Sequence, residues 1–98
     1  MRAVAVGGKL FVYAFQLAGA GGVVAESGSE ALKQIYGLIE EPDVGVILVS
    51  DEFGEEFVEK VRQLSFSTPR PVIYLLPRPG GRPEHVDYRS ILRRVLSI

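Results

Sequence analysis

The chain of 98 residues contains no cysteine, no tryptophan and a single histidine, His85. Without cysteine there is neither a disulfide framework nor a thiolate metal site, and one histidine cannot form a cluster of imidazole ligands. Long apolar runs are also missing. The richest stretch, residues 10 to 25, is interrupted by Gln16, Gly19, Gly21 and Gly22 and falls short of the ~20 residues a bilayer span requires. The N-terminus carries one arginine and alternates at once into a strand pattern, lacking the charged region, apolar core and cleavage site of a secretory leader. These absences predict a cytoplasmic chain linked to a membrane only through a partner.

Charge is low but unevenly spread. An apolar fraction of 47% against 23% charged residues leaves enough surface to bury for one folded domain, and the length leaves no room for a second. The formal net charge is −1. Residues 1 to 65 hold five Lys/Arg and ten Asp/Glu, whereas residues 66 to 98 hold six arginines and two acids, so the two parts carry −5 and +4. A tail basic through arginine alone suits docking on an acidic protein surface, because the guanidinium is weakly hydrated and forks onto carboxylates. The arginines are not interleaved with aromatics and the whole chain is slightly acidic, which argues against nucleic acid.

Hydrophobic periodicity predicts alternating strands and helices. Arg2 to Val6 reads as a buried strand and Gly7-Gly8 as the turn out of it. The helix from Lys9 to about Ala18 is apolar nearly all round, with Phe11, Val12, Phe15 and Ala18 on one side and Leu10, Tyr13, Ala14 and Leu17 on the other. Either neighbouring helices cover the second side, or Leu10, Tyr13 and Leu17 form a docking patch for another chain or a second copy. Gly19 to Gly22 ends this helix, and Val23 to Glu26 reads as the second strand. Ser27-Gly28-Ser29-Glu30 has capping-box spacing and opens a helix to about Glu41, with Ala31, Leu32, Ile35, Leu38 and Ile39 inward and Pro42 beyond its end.

Val44 to Val49 is the near-continuous β-branched and aliphatic run of a central parallel strand. Phe57, Val58, Val61 and Leu64 then recur at helical spacing between Phe53 and Leu64, with Glu56 and Lys60 as a favourable i,i+4 pair. Pro71 to Leu76 reads as the fourth strand. The segment from Pro77 to Pro83, rich in proline and glycine, can enter neither a helix nor a sheet interior. Asp87 is placed to cap a last helix with Tyr88, Ile91, Leu92, Val95 and Leu96 on one side and Arg89, Arg93 and Arg94 around the other. Right-handed crossovers make this a three-layer α/β domain, most simply a parallel sheet of order 2-1-3-4. Residues 1–77 form the globular part, 78–86 a hinge, and 87–98 a basic amphipathic helix of the same domain.

Chemical equipment is sparse. Gly7-Gly8-Lys9 lacks the GxxxxGK[ST] spacing that wraps phosphate and places a hydroxyl on magnesium, and the later glycines precede a strand rather than a helix. His85 has no nucleophile to serve. Tyr36 and Tyr74 read as half-buried packing residues. No catalytic residue, cofactor site or metal site is assigned, and the chain reads as a non-catalytic interaction module.

In order and length, the chain resembles the F subunit of archaeal and vacuolar-type rotary ATP synthases. The resemblance rests on Val6-Gly7 opening a short loop, Phe15-Gln16-Leu17-Ala18-Gly19, Val44-Gly45-Val46-Ile47-Leu48-Val49, Pro71-Val72-Ile73 before Pro77, and Leu92-Arg93-Arg94-Val95. It implies a receiver-like (flavodoxin-like) globular part and a C-terminal segment that contacts the coiled coil of the stalk's D subunit, beside the catalytic head subunits, with no chemistry of its own. Two departures stand out: the family's aspartate after the first glycine is Gly8 here, and its arginine in the first helix is Gln16. Partner-binding candidates are Leu10, Tyr13 and Leu17 on the first helix and Tyr88, Arg89, Ile91, Arg93, Arg94 and Val95 on the last.

The rival is a phosphoacceptor receiver, since the run from Pro42 to Asp51 delivers an aspartate to a strand's C-terminal edge. Phosphorylating it requires further acids to hold a divalent cation and a hydroxyl and a lysine to hold the phosphoryl oxygens. The first strand offers no acid, Leu76-Pro77 replaces the hydroxyl, and no lysine follows Lys60. Asp51 is therefore expected to be the N-cap or first-turn acid of the next helix. A degenerate receiver acting as a homodimeric signalling or scaffold module through Leu10, Tyr13 and Leu17 is the alternative function.

Overall fold

The computed structural model describes residues 2–78. Four strands, β1 (Arg2–Gly7), β2 (Gly21–Val24), β3 (Val44–Ser50) and β4 (Val72–Leu76), alternate with three helices, α1 (Lys9–Leu17), α2 (Gly28–Ile39) and α3 (Glu55–Ser67). All strand pairs are parallel and the order is β2-β1-β3-β4, as expected. The expected helix over 87–98, with Tyr88, Arg89, Ile91, Arg93, Arg94 and Val95, and the hinge beyond Arg78 lie outside the described residues.

Alternation along the strands divides the core into two layers. On one side of the sheet, Val4, Val6, Ile47, Val49 and Ile73 pack against Ala31, Ile35 and Leu38 of α2 and Phe57 and Val61 of α3. On the other, Ala3, Ala5, Val46 and Leu48 pack against Phe11, Val12 and Phe15 of α1. The residues of β1 toward α1 are small because the helix residues are large. Phe11 and Phe15, fully buried, meet edge to face with ring centroids 5.0 Å apart, a favoured aromatic geometry.

Local capping follows the sequence with one shift. Ser27 Oγ accepts from Glu30 N–H at 3.1 Å, but the Glu30 carboxylate takes the Glu26 N–H at 3.4 Å, one residue before the cap. The Glu56–Lys60 pair forms at 3.5 Å across an exposed turn of α3, and Arg2 bridges Glu41 and Asp43 at 3.0 Å each. These are surface pairs that add little stability.

Three expectations are corrected. The second strand is Gly21–Val24, earlier than Val23 to Glu26. Gly21 and Gly22 pair with Val4 and Ala5 instead of terminating the helix. A Cβ on Gly22 would collide with Val12 Cγ1, so the glycine marks where α1 presses on the sheet. The third helix starts at Glu55 rather than Phe53, because Gly54 takes φ 96°, a left-handed conformation that holds the chain out of the helix. Tyr36 is exposed on α2, whereas Tyr74 is half-buried as expected.

Two substitutions test this packing. Phe15→Ala should cost about 3–5 kcal/mol, the usual range for truncating a buried phenylalanine, seen as a lower urea midpoint at unchanged slope. Gly22→Ala should cost about 1–3 kcal/mol through overpacking against Val12, although alanine suits an ordinary strand better than glycine.

Candidate functional site

Open parallel sheets present their chemistry at the C-terminal ends of the strands, and here those ends are occupied by the protein's own side chains. β1 ends at Gly7, β3 at Ser50 and β4 at Leu76. A Cβ on Gly7 would stand 2.7 Å from Ser50 Cβ and 2.8 Å from Phe11 Cδ2, so backbone alone fits between β3 and α1. Gly8 is the N-cap of α1 and has no side chain to cap with, and the helix carries no acid in its first turn.

That missing function is supplied from the neighbouring strand. Glu52 Oε2 accepts the Gly8 N–H at 3.0 Å and the Ser50 hydroxyl at 2.6 Å. One carboxylate thus satisfies a fully buried hydroxyl and an open N–H at a helix N-terminus, where negative charge is favoured. A Cβ on Gly8 would strike Glu52 Oε1. The helix start that Gly8 leaves without a side-chain cap is therefore served by a carboxylate arriving from just beyond the end of β3. The sequence reading missed Glu52. The signal was present: a glycine pair ending one strand, and an acid just beyond the end of the strand expected beside it.

Asp51 has a different role from the one expected. It is neither the N-cap nor a first-turn acid of α3, because the turn at Gly54 separates it from that helix. Its backbone N–H donates to Leu76 O at 3.0 Å, and its Oδ1 accepts the Arg78 N–H at 3.0 Å, with the Arg78 guanidinium at 3.5 Å. Among the described residues no three His, Cys, Asp or Glu side chains are grouped to hold a metal ion. Asp51 and Glu52 face different partners, so the edge lacks the converging acids that aspartyl phosphorylation needs.

A groove runs between α3 and β4, lined by Asp51, Glu55, Val58, Glu59, Arg62, Leu75 and Arg78. Its charges are mixed, and Glu59 is paired with Arg62 at 3.8 Å and Asp51 with Arg78. Among the described residues its lining holds neither a thiol nor an imidazole.

The outer side of α1 shows the clearest exposed feature. Leu10, Tyr13 and Leu17 are 73%, 51% and 82% exposed, while Phe11, Val12 and Phe15 are fully buried. Spacing of three and four residues sets the three on one ridge. Of the two readings left open by the sequence, coverage by neighbouring helices is not met among the described residues: α2 and α3 lie on the opposite side of the sheet. No helix among the described residues is long and apolar enough to cross a membrane.

The carboxylate assignment can be checked by denaturation. Glu52→Ala should cost about 1–3 kcal/mol by stranding the Ser50 hydroxyl and Gly8 N–H, and Glu52→Gln less. Gly8→Asp alone should destabilise through the clash and like charge, and adding Glu52→Gly should recover part of the loss. Strict additivity of the two would show that the carboxylates do not share a place.

Curated proteins give no significant match to the chain. The family model of the ATP synthase (F/14-kDa) subunit, in contrast, matches residues 3–95, nearly the whole sequence and all of the sheet from Ala3 onward. The chain belongs to the ATP synthase (F/14-kDa) subunit family of the V/A-type rotary ATP synthases.

Proposed function

We propose that the chain is the non-catalytic central-stalk subunit of such an ATP synthase, coupling or regulating rotation by binding the coiled coil of the stalk's D subunit beneath the catalytic head subunits. The observation that carries this reading is the family match over residues 3–95. Its support in the globular part is a strand edge filled by Glu52 and Asp51, which leaves packing rather than chemistry as the means of action. Residues 87–98 would lie along the partner with Tyr88, Ile91 and Val95 inward and Arg89, Arg93 and Arg94 toward acidic side chains. The contact with the membrane is indirect, through the complex on its cytoplasmic side.

A second reading is favoured by the exposed ridge of α1. Leu10, Tyr13 and Leu17 offer an apolar surface that a second copy of the chain would bury, giving a homodimeric scaffold.

Co-purification of the full chain from its native extract separates the two. The stalk reading expects a coiled-coil stalk protein together with head subunits. Deleting residues 84–98 should keep a cooperative melting transition yet weaken that binding by more than about thirtyfold, since one interface hot spot is worth about 2 kcal/mol. Loss of the melting transition would make the segment part of the core. A self-associated chain that Leu17→Glu converts to monomer, with no stalk protein bound, would favour the scaffold.

A further inference from the structure

The two outer strands of the sheet point backbone groups sideways, and the register fixes which ones. In a parallel ladder the N–H and C=O of one residue point to the same side, and those of the next residue to the other. Leu76 O accepts the Asp51 N–H at 3.0 Å, so Leu76, and with it Tyr74 and Val72, faces β3. Residues 71, 73, 75 and 77 face away. On the opposite flank the Ala25 N–H donates to Gly7 O at 2.9 Å, which turns residues 21, 23 and 25 toward β1 and residues 20, 22, 24 and 26 outward.

Both lateral edges are shut at their ends. Pro71 and Pro77, the first and last outward positions along β4, have no N–H to offer. Along β2 the same two places carry donors that are already used: the Ala20 N–H donates to Phe15 O at 3.0 Å and the Glu26 N–H to Glu30 Oε2 at 3.4 Å. This accounts for the shifted arm of the α2 capping box, since the N–H it serves is the outward one. Among the described residues, Gly22 and Val24 on one edge and Ile73 and Leu75 on the other remain as outward strand donors. Each pair spans about 7 Å, against the ~17–20 Å of an ordinary strand.

We infer that these four blocks form an edge guard, which holds the sheet at four strands and keeps copies of the chain from joining edge to edge. A sheet with two free edges invites β4 of one copy to pair with β2 of the next, a head-to-tail contact that does not close and builds filaments. Charge within the strands does not prevent this, because Gly21-Gly22-Val23-Val24 and Val72-Ile73-Tyr74-Leu75-Leu76 contain no ionisable acid or base of the Asp, Glu, Lys or Arg type. Withdrawal of donors is the defence instead. The glycines of β2 make it necessary there, since they have no side chains to cover the backbone. Neighbours of this chain are therefore met through helix faces rather than through an added strand. The inference concerns the sheet alone and holds whichever partner the chain has.

Amide exchange of the full chain, read residue by residue by NMR at a low and a high protein concentration, tests the guard. Gly22, Val24, Ile73 and Leu75 should exchange at the unprotected rate at both, whereas Val23 and Tyr74, which face the sheet interior, should be at least about tenfold slower. Pro77→Thr restores a donor to β4, and Glu30→Ala frees the Glu26 N–H beside β2. The double variant should self-associate as concentration rises, seen as a growing mass in sedimentation, while the four outward amides slow by at least about tenfold. Adding Leu17→Glu, which disrupts pairing through α1, should leave that association in place. Glu30→Gln keeps an acceptor and should behave as the native chain. Pro71 is left unaltered because its ring is buried. Each single variant gives the same readout on its own edge, so the result does not depend on the double variant folding. Protection of the four outward amides in the dilute native chain would overturn the guard, and so would folded variants whose mass and exchange ignore concentration.

Discussion

Helix α1 can sit as low on the sheet as it does only because β1 offers Ala3 and Ala5 and β2 offers Gly22. Any larger residue at position 22 would meet Val12, and a side chain at Gly7 would meet both Phe11 and Ser50. Close approach lets Phe11, Val12 and Phe15 be wholly buried, and each buried side chain of this kind contributes about 1.5–3 kcal/mol. For a domain this small, whose net stability is about 5–15 kcal/mol, those three residues weigh heavily. The same seating points Leu10, Tyr13 and Leu17 outward and brings the Gly8 N–H within reach of Glu52. Core, exposed ridge and filled strand edge are consequences of one packing choice.

The edge keeps the switch-point geometry of such a fold and fills it with the protein's own side chains. A parallel sheet still aims helix N-termini and strand ends into one crevice, and the partial positive charge there still attracts an anion. With glycine at position 8, the anion is internal. Glu52 neutralises the helix end, satisfies Ser50 and occupies the volume an acid from β1 would fill. Asp51, next in line, is drawn to Arg78 at β4. Two adjacent carboxylates therefore fasten two different elements, whereas a phosphoacceptor site would need them to converge on one cation.

The sequence disclosed the sheet because its signals are periodic. Val44 to Val49 announces a strand buried on both sides, and Phe57 and Val61 announce a helix whose inner face is covered; both form, the helix beginning at Glu55 rather than Phe53. It also disclosed the two-sided apolarity of α1 and the candidate ridge of Leu10, Tyr13 and Leu17, though not whether that second side would be covered. What it hid were features decided by contacts between distant residues. Gly21 and Gly22 look like a helix stop because glycine has that role locally; their place in β2 is set by α1 pressing from above. Asp51 looks like a helix cap because it precedes one, yet Gly54 takes the N-cap position and the aspartate accepts from Arg78 instead. Glu52 is easily passed over for the same reason, since its partners lie 44 residues away at Gly8 and two residues back at Ser50.

An exposed ridge of two leucines and a tyrosine would be costly to explain in a chain that acts alone. Isolated apolar side chains on a surface are ordinary, but a contiguous stripe along one helix exposes apolar area to water at about 25 cal/mol for each Å², and invites aggregation. On α2 and α3 the corresponding exposed positions are largely polar or charged, among them Lys33, Glu55, Glu56, Glu59, Lys60 and Arg62. Tyr36 on α2 and Phe66 on α3 are exposed singly, whereas α1 lines up three apolar residues along one ridge. Membership of a multi-subunit rotary complex supplies a reason: a chain held permanently among neighbours can keep, on one helix, the apolar surface that a free monomer would be under pressure to lose. The ridge is rigid, fixed by the buried half of its own helix, and suits a permanent contact.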